Sequence, residues 1–394
     1  MTNSSLPAIP IWLDCDPGHD DAVAILMACK LPQFKLVGIS ASYGNSTPLN
    51  TLKNTISILQ SLNEKMCTYQ DITSNDNNTT SNSAIPIYKG AQEPLVKQDT
   101  GDYTDFDYEK DSYTAPEIHG DSGLDGTTLL PKPDETFLNK LVPSTNSTAN
   151  YFDFIKGLEN ALLQYPNELV YVSTASLTSL ATFCLTKPHL KKNFKYISAM
   201  GGSFYNIGNR NPKNTAEFNI YIDPHAANCI FQDPILQGKI FLAPLNLTHK
   251  AIATEEVMEK IKDYHGTTVI TSSKSNSMVR KMFYELFLFF KTTYSKAQGA
   301  QFIKGPPVHD PLTLMPLLQF INNDKKVDFK YKVLDIFVIE DEKNKDYGRT
   351  LAVKEHKSTE ITSLGSNISK GIIVGFDMNI DYFWDKVHES LELA

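Results

Sequence analysis

Four aspartates stand within eight residues near the start of the chain, in the run DCDPGHDD from Asp14 to Asp21. They follow an apolar run at 9–13 and precede a second one, so the pattern predicts a strand, a tight Pro-Gly turn and a helix. The carboxyl end of a core strand is where open α/β sheets bind their ligands. Because neighbouring carboxylates raise one another's pKa, the cluster requires a positive partner, and all-oxygen ligands suit a hard cation such as Ca²⁺ or Mg²⁺.

Three other readings of these aspartates compete with a metal-centred site. Asp20 alone has the position of a helix cap. The early spacing also imitates an EF-hand loop, but the twelfth position of that loop is a Glu and here it is Ile25. An aspartyl-phosphate phosphohydrolase would use Asp14 as nucleophile, and such enzymes carry Thr or Val where this chain has Gly18.

Composition bounds the class of protein. The chain has 394 residues, 41% of them hydrophobic and 10% aromatic, which suits one large α/β domain with insertions, or two domains. Its formal net charge is −8 and no sustained Lys/Arg block is visible. Nucleic acid and anionic membrane surfaces are therefore not expected as partners.

The cysteines and the start of the sequence indicate a compartment. Five scattered cysteines without a C-x-x-C pair indicate reducing conditions and argue against a disulfide framework or a zinc site. The first residues have no basic start, and no run approaches the roughly 18 apolar residues of a membrane span. We expect a cytoplasmic protein, with the nucleus as a second location, and no membrane partner.

Strand-like and helix-like runs alternate along the chain, which predicts an α/β fold with a mainly parallel central sheet and flanking helices. Strands are expected at 9–13, 35–42, 85–88, 168–173, 194–200 and 239–243. Helices are expected from about His19, and at 49–62, 151–164, 177–185, 223–231, 273–297 and 380–393. After 327, three apolar runs alternate with polar residues and predict small antiparallel edge strands.

Long polar stretches interrupt this alternation. Residues 71–84 are rich in Asn, Ser and Thr, and residues 97–150 are mostly polar and poorly patterned, so both are expected as surface insertions. The Gly- and Asn-rich segment 200–224 is expected as a further loop at the carboxyl end of a strand.

Five motifs occur in order along almost the whole chain: DxDPGxDDAxAI at 14–25, VSTASLTSLA at 172–181, MGG at 200–202, AEFN at 216–219 and GPPVHDP at 305–311. Together they resemble the nucleoside hydrolases, the inosine-uridine-preferring N-glycosidases of ribonucleosides. HGDSGLDG at 119–126 and THKAIAT at 248–254 look most like the fungal uridine-hydrolysing branch. The resemblance implies the nucleoside hydrolase fold with its Rossmann-like core in one domain over 1–394, assembled as a homodimer or homotetramer.

The chemistry of that family defines the groups required. Breaking the ribose C1′–N bond builds positive character on the sugar and negative charge on the base. The resemblance implies Ca²⁺ held by carboxylates and one backbone carbonyl, with Asp16 also acting as general base toward the calcium-bound water. The implied metal ligands are Asp16, Asp21, Thr174 through its carbonyl, and Asp310. Asp14 is expected to support these ligands rather than bind the ion.

The resemblance also assigns the substrate contacts. Asp20 and Asn219 are expected to hold the 2′ and 3′ hydroxyls, and Glu217 and Asn209 the 5′ end. Because the spacing from Asn209 to Glu217 is longer than the commonest family spacing, Asn211 is an alternative to Asn209. Further contacts are expected from Asn45, Met200 and Phe218.

Three residues are expected near the departing base. His309 is the candidate to protonate or hydrogen-bond it, and Tyr294 on the preceding helix lies near it in the family's pattern. His119 resembles a loop histidine that helps to close the site as a lid.

The expected activity is hydrolysis of ribonucleosides to ribose and free base, with uridine first and cytidine, inosine and nicotinamide riboside as further candidates. Two alternatives stay open. One is a nucleoside or ribose binder without catalysis on the same scaffold, and the other is the aspartate-based phosphohydrolase, for which Asp14 rather than Asp16 would be essential.

Overall fold

The protein is described here by a computed structural model covering residues 7–73, 84–96, 113–142, 153–262, 274–356 and 370–394, with only the backbone for 274–277. These residues form one ten-stranded sheet in the order β3-β4-β2-β1-β5-β6-β7-β10-β8-β9. The strands are β1 (Ile9–Cys15), β2 (Phe34–Ala41), β3 (Met66–Cys67), β4 (Ile85–Lys89), β5 (Val170–Ser173), β6 (Tyr196–Met200), β7 (Ile240–Ala243), β8 (Lys330–Val338), β9 (Thr350–His356) and β10 (Ile372–Asp377).

Strand order explains where a ligand can bind. All neighbours from β3 to β10 pair in parallel, and the last two strands, β8 and β9, are antiparallel. The chain moves from β1 to one side through β2 and β4, and later continues on the other side through β5, β6 and β7. The switch point therefore lies between β1 and β5, where such sheets open a crevice at the carboxyl ends of their strands. The predicted fold class is confirmed.

β1 is the strand on which the site is built, and all seven of its residues are buried. Alternate side chains enter two hydrophobic cores on the two faces of the sheet: Ile11 and Leu13 join one, and Trp12 joins the other. Removing a fully buried aromatic side chain such as Trp12 costs about 3–5 kcal/mol. The strand that positions the aspartates is thereby anchored on both sides.

Helices cover both faces of the sheet. The longer ones are α1 (His19–Lys30), α2 (Pro48–Ser61), α6 (Asp153–Gln164), α7 (Thr178–Thr186), α9 (Pro224–Phe231), α11 (Glu255–Lys262), α12 (Lys274–Gln298) and α14 (Ile380–Glu392). The shorter ones are α3 (Tyr69–Thr73), α4 (Pro116–His119), α5 (Glu135–Leu141), α8 (Phe218–Tyr221), α10 (Leu245–Thr248) and α13 (Met315–Phe320). Within the described part of the chain, no helix has the length and apolar character needed to cross a membrane.

Two sequence predictions about elements were wrong. The run around β10 was expected as an antiparallel edge strand, yet β10 lies inside the sheet, parallel to β7 and antiparallel to β8. Its first four residues are all buried, because both faces of this strand are covered. Short helices also occupy stretches predicted as loop, among them α4, α5 and α8, because one or two turns are too short for a visible helical period.

The predicted surface insertions fall partly outside the described residues. Of 71–84, the residues 74–83 lie outside, and of 97–150, the residues 97–112 and 143–150 lie outside. The remaining segment 113–142 carries α4 and α5, and α4 contributes a wall of the site described below.

Candidate active site

Asp21 lies at the centre of the acidic cluster, in the first turn of α1. Its Oδ2 accepts hydrogen bonds from the Gly18 amide at 3.0 Å and from Asn45 Nδ2 at 2.9 Å. Its Oδ1 accepts from the Thr174 hydroxyl at 2.7 Å, just after β5. The carboxylate is thus held at the switch point by groups that follow β1, β2 and β5.

Asp16 presents one anchored and one free oxygen. Its Oδ2 accepts from the Asn45 backbone amide at 2.7 Å, whereas Oδ1 is buried and has no hydrogen-bond partner among the described residues. Gly44 permits this approach, since a Cβ there would lie 2.0 Å from Asp16 Oδ2 and the backbone has φ +151°. An unpaired buried carboxylate oxygen calls for a proton donor or a cation from a ligand.

The distant segment 305–311 joins the same cluster. The His309 backbone amide donates to Asp20 Oδ2 at 3.1 Å, and Asp310 begins a short 3₁₀ helix with Pro311 in its first turn. Asp20, Asp21 and Asp310 each offer an oxygen within 4.8 Å of the others. Asp20, predicted to hold sugar hydroxyls, therefore lies next to two predicted metal ligands.

The electrostatics of the cluster indicate a missing positive charge. Burial, reinforced by the neighbouring carboxylates, raises the pKa of Asp16 and Asp310 well above the ordinary value, and it raises that of Asp20 to about 7. Within the described ranges, no Lys or Arg forms an ion pair with any of these carboxylates. Several buried, acceptor-only oxygens and one unpaired Oδ1 fit a hard divalent cation.

Asp14 lies behind this cluster. Its Oδ1 accepts from the hydroxyls of Ser40 at 2.5 Å and Ser42 at 2.9 Å, and burial raises its pKa to about 6. Its backbone carbonyl accepts from the Thr174 amide at 2.8 Å, which ties the end of β1 to the end of β5. These contacts agree with a supporting role for Asp14.

A cavity opens beside the carboxylates, and Asp20 and Asp310 are part of its lining. Its lining includes most of the predicted site: Asp20, Asn45, His119, Thr174, Met200, Asn209, Glu217, Phe218, Asn219, Tyr294, His309 and Asp310. It also includes residues that were not predicted: Ala115, Ile118, Arg210, Phe290 and Gln298. Asp16 and Asp21 are not part of the lining, but both contact Asn45, which is.

Glu217 and Asn219 stand where α8 begins. Glu217 caps the helix, and its carboxylate accepts from the amides of Asn219 at 2.8 Å, Gly202 at 2.8 Å and Ile220 at 3.1 Å. Burial raises the pKa of Glu217 to about 7, although these hydrogen bonds and the nearby Arg210 act to lower it. Asn219 Nδ2 donates to the Thr174 carbonyl at 2.7 Å, so it contacts the predicted carbonyl ligand directly.

The structure separates the two candidates for the 5′ end. Asn209 lines the cavity, and its Oδ1 is buried without a hydrogen-bond partner among the described residues. Asn211 has φ +63°, and its amide bonds Thr215 and the carbonyl of Tyr347, so it shapes a turn. Of the two, Asn209 is placed to contact a ligand.

Phe218, Met200 and Arg210 form one side of the cavity. The Arg210 guanidinium lies 4.7 Å from the centre of the Phe218 ring and pairs with Glu117 of α4 at 2.8 Å. Met200 packs its sulfur 3.4 Å from Asn219 Nδ2. No motif pointed to Arg210, because its position depends on the fold of the loop before α8.

His309 and Tyr294 form a hydrogen-bonded pair in the lining of the same cavity. His309 Nε2 lies 3.2 Å from the Tyr294 hydroxyl, and Nδ1 lies 2.7 Å from the Thr248 hydroxyl. Both rings are buried, so burial lowers the pKa of His309 and raises that of Tyr294. Thr248 was not predicted as a site residue, although it belongs to the THKAIAT motif.

His119 comes from α4 and lies against His19 at the start of α1. Their Nδ1 atoms are 3.0 Å apart, and Phe290 stacks on both rings. Burial lowers the pKa of His119 well below its ordinary value and that of His19 to about 4. His19 was not predicted as a site residue, because the opening motif DxDPGxDD does not specify the residue at its position.

The comparisons with known proteins identify the family of this chain. The family model described as "inosine-uridine preferring nucleoside hydrolase" matches residues 11–385. The chain therefore belongs to the inosine-uridine preferring nucleoside hydrolases. The predicted family and enzyme class, a ribonucleoside hydrolase acting on N-glycosyl bonds, are confirmed.

Individual relatives match this chain over most of its length. The uridine nucleosidase of Saccharomyces cerevisiae is 44% identical over 388 residues, 98% of this chain and 96% of that protein. The pyrimidine-specific ribonucleoside hydrolase of Escherichia coli is 34% identical over 312 residues, 79% of this chain and 80% of that protein. A plant nucleoside hydrolase structure shares the fold, with a TM-score of 0.68 at 22% identity over 98% of this chain and 99% of the plant chain.

Proposed function

We propose that this chain hydrolyses the N-glycosidic bond of ribonucleosides, prefers uridine and releases ribose and free base. The observation that carries the proposal is the unpaired, buried Oδ1 of Asp16 in the same acidic cluster as Asp20 and Asp310, which line one cavity together with the Tyr294–His309 pair. The preference for uridine is supported by the similarity to relatives named as a uridine nucleosidase and a pyrimidine-specific hydrolase.

We propose Ca²⁺ as the cation of the site. Its ligands would be the carboxylates of Asp16, Asp21 and Asp310 and the carbonyl of Thr174, which together supply the hard oxygens that this ion prefers. When bound, such an ion lowers the pKa of water and binds sugar hydroxyls.

Asp16 is the general base of the proposed reaction. The Asn45 amide fixes Oδ2, which leaves Oδ1 to take the proton of the attacking water. The water oxygen forms a bond to C1′ as the C1′–N bond breaks, and the bonding electron pair leaves with the base. No covalent sugar–enzyme intermediate is required.

The Tyr294–His309 pair assists the departing base. The Tyr294 hydroxyl donates a hydrogen bond to the base, and Nε2–H of His309 stabilises the phenol oxygen as negative charge accumulates. Thr248 supports this arrangement by donating to Nδ1 of His309. The departing base takes its proton from the Tyr294–His309 pair, which recovers one from solvent, and Asp16 releases to solvent the proton that it took from water, so the reaction is balanced.

The remaining polar groups of the cavity hold the sugar. Asp20 and Asn219 lie beside the predicted cation ligands and are assigned to the 2′ and 3′ hydroxyls. Glu217 and Asn209 are assigned to the 5′ end, where the unpaired Oδ1 of Asn209 accepts a hydroxyl proton. Binding energy at the sugar positions C1′ above Asp16.

Two broader features belong to the same proposal. The chain forms a homodimer or homotetramer, and it works in the cytoplasm. The five cysteines, all of them free, support a reducing compartment.

Product analysis tests the proposal. The purified chain is incubated with uridine, cytidine, inosine, nicotinamide riboside and a phosphomonoester, and free base, reducing sugar and phosphate are followed. We expect equal amounts of uracil and ribose, the highest kcat/KM for uridine, and no phosphate. Binding of uridine without turnover would indicate the non-catalytic binder, and release of phosphate would indicate the phosphohydrolase.

A further inference from the structure

Two histidine rings meet at the wall of the cavity. His19 begins α1 and His119 ends α4, and their Nδ1 atoms lie 3.0 Å apart. Both side chains are buried, with exposed fractions of 2% and 5%. Because the rings are fixed by stacking against Phe290, the hydrogen atoms on their nitrogens follow from the partners around them.

The partner of Nε2 of His19 determines which ring nitrogen of His19 carries the hydrogen. Nε2 of His19 lies 2.9 Å from the carbonyl oxygen of Asp125. A carbonyl oxygen only accepts, so Nε2 must carry the hydrogen. A neutral imidazole has one ring hydrogen and burial opposes a second, so Nδ1 of His19 is left with a lone pair.

His119 must then donate. If Nδ1 of His119 also carried a lone pair, two lone pairs would face each other across 3.0 Å. The backbone amide of His19 lies 3.3 Å from the same Nδ1 and favours the tautomer in which Nδ1 of His119 carries the lone pair. The two ring contacts, at 3.0 and 2.9 Å, are shorter than the amide contact and outweigh it.

We propose that His19 is a positioning residue that holds His119 in the Nδ1–H tautomer, so that Nε2 of His119 faces the cavity as a hydrogen-bond acceptor for an N–H or O–H group of the bound nucleoside. In the described part of the chain, the hydrogen bonds of the His119 ring are made by Nδ1. His119 lines the cavity, so its second nitrogen is left for a ligand.

The identity of the ligand rests on the proposed function. A uridine offers two kinds of donor at some distance from the reacting bond, the N3–H of the base and the 5′ hydroxyl of the sugar. An analogue without the relevant donor leaves the lone pair of His119 unpaired in a buried site, which lowers kcat/KM by roughly 10- to 100-fold.

The tautomer is measured on the free full-length chain. Solid-state ¹⁵N NMR of protein labelled only in histidine distinguishes protonated from unprotonated ring nitrogens, and His119→Gln assigns the His119 signals. We expect a protonated Nδ1 and an unprotonated Nε2. An unprotonated Nδ1, or two protonated nitrogens, would overturn the proposal.

Two variants of His19 test its role. His19→Phe keeps an aromatic ring against Phe290 but removes the acceptor, so the backbone amide at position 19 becomes the partner of His119 Nδ1 and the hydrogen moves to Nε2. His19→Asn returns an amide oxygen near the lost Nδ1 and keeps the original tautomer. If His19→Phe leaves the tautomer unchanged, His19 does not position His119.

Kinetics then identify the donor. Uridine, 3-methyluridine and 5′-deoxyuridine are compared with the wild-type chain and with His19→Phe. We expect the kcat/KM of the wild-type chain to be roughly 10- to 100-fold lower for one of the two analogues than for uridine. His19→Phe should lose most of that discrimination. Equal kcat/KM for all three substrates would contradict the acceptor role. Because the NMR measurement uses the free protein, an inactive chain would refute the proposed function without affecting the tautomer result.

Discussion

The floor and one wall of the cavity hold their titratable groups in opposite ways. The carboxylate floor consists of Asp16, Asp20, Asp21 and Asp310, and the histidine wall consists of His19, His119, Tyr294 and His309. Floor oxygens are acceptors crowded together, and burial raises their pKa values. Wall rings are paired with one another or with hydroxyls, and burial lowers the pKa values of the histidines.

This difference indicates which of the two regions requires a bound ligand to satisfy its polar groups. Each ring of the wall has at least one hydrogen-bond partner within the protein, and burial favours neutral histidines, so the remaining donor or acceptor is available to a substrate. In the floor, burial raises the pKa of the carboxylates and Asp16 Oδ1 has no hydrogen-bond partner among the described residues. A bound cation would stabilise the charged carboxylates and satisfy that oxygen. The floor should therefore respond to metal and the wall to the leaving group.

The largest expected effect comes from the floor. Asp16→Asn removes the base and a charged ligand, so kcat for uridine should fall by at least about 10³-fold. Far-ultraviolet circular dichroism and the melting temperature in a chelator check folding, and the variant should be at least as stable as wild type there because one repelling carboxylate is gone. A rate near that of wild type would remove Asp16 from the role of base.

The next largest effect distinguishes the role of the wall from that of the floor by changing the leaving group of the substrate. Tyr294→Phe should lower kcat for uridine by about 10²-fold, because the departing base loses its donor. With p-nitrophenyl riboside, whose leaving group departs as a stable anion, the same variant should retain most of its activity, whereas Asp16→Asn should not. Tyr284→Phe on the same helix is the matched control, since the hydroxyl of Tyr284 bonds the surface residue Glu259. Equal losses on both substrates would place Tyr294 outside leaving-group assistance.

A smaller effect concerns stability and pH. At a hundredfold excess over its Kd, Ca²⁺ should stabilise the fold by about 2.7 kcal/mol. In the metal-free protein burial raises the pKa of Asp20, which lies beside the predicted ligands, to about 7. Below that pH Asp20 is protonated and no longer adds the negative charge that favours a cation at the neighbouring carboxylates. The calcium-induced rise in melting temperature should be full above pH 7 and decline toward pH 5.

Taking the difference with and without calcium removes the contribution of the buried histidines, whose lowered pKa values also destabilise the fold as the pH falls below their ordinary pKa. A calcium effect that stays constant from pH 8 to pH 5 would contradict binding by these carboxylates.

The smallest effect tests the sugar side. Asn209→Ala should lower kcat/KM for uridine by about 2- to 10-fold and leave that for 5′-deoxyuridine unchanged, because one hydrogen bond to the 5′ hydroxyl is lost. Asn211→Ala is the matched control: it removes turn contacts and should lower the melting temperature without changing KM. The reverse pattern would assign the 5′ end to Asn211.

Much of the floor could be predicted from the sequence, for a physical reason. Three of its four carboxylates lie in one contiguous strand-turn-helix run, so local geometry brings them together once the strand is recognised. Asp310 and Thr174 were found through motifs that resemble a known family, and the structure places both beside Asp21. The motifs assigned Asp20 to the sugar, whereas the structure also places its carboxylate within 4.8 Å of those of Asp21 and Asp310.

The wall was predictable only in part. Tyr294 and His309 were expected near the base, but their contacts with Thr248 and the pairing of His19 with His119 depend on how α1, α4, α10 and the long α12 pack. Local patterns do not encode such packing, because each partner lies in a different element. The position of β10 inside the sheet was missed for the same reason, since strand pairing is a long-range property.

A crystal structure of the chain with Ca²⁺ tests the central claim most directly. We expect one ion within about 2.3–2.6 Å of oxygens from Asp16, Asp21, Asp310 and the Thr174 carbonyl, at the base of the cavity. An ion that contacts Asp20, Asp21 and Asp310 but leaves Asp16 unbound, or no ion in the cluster at all, would contradict it.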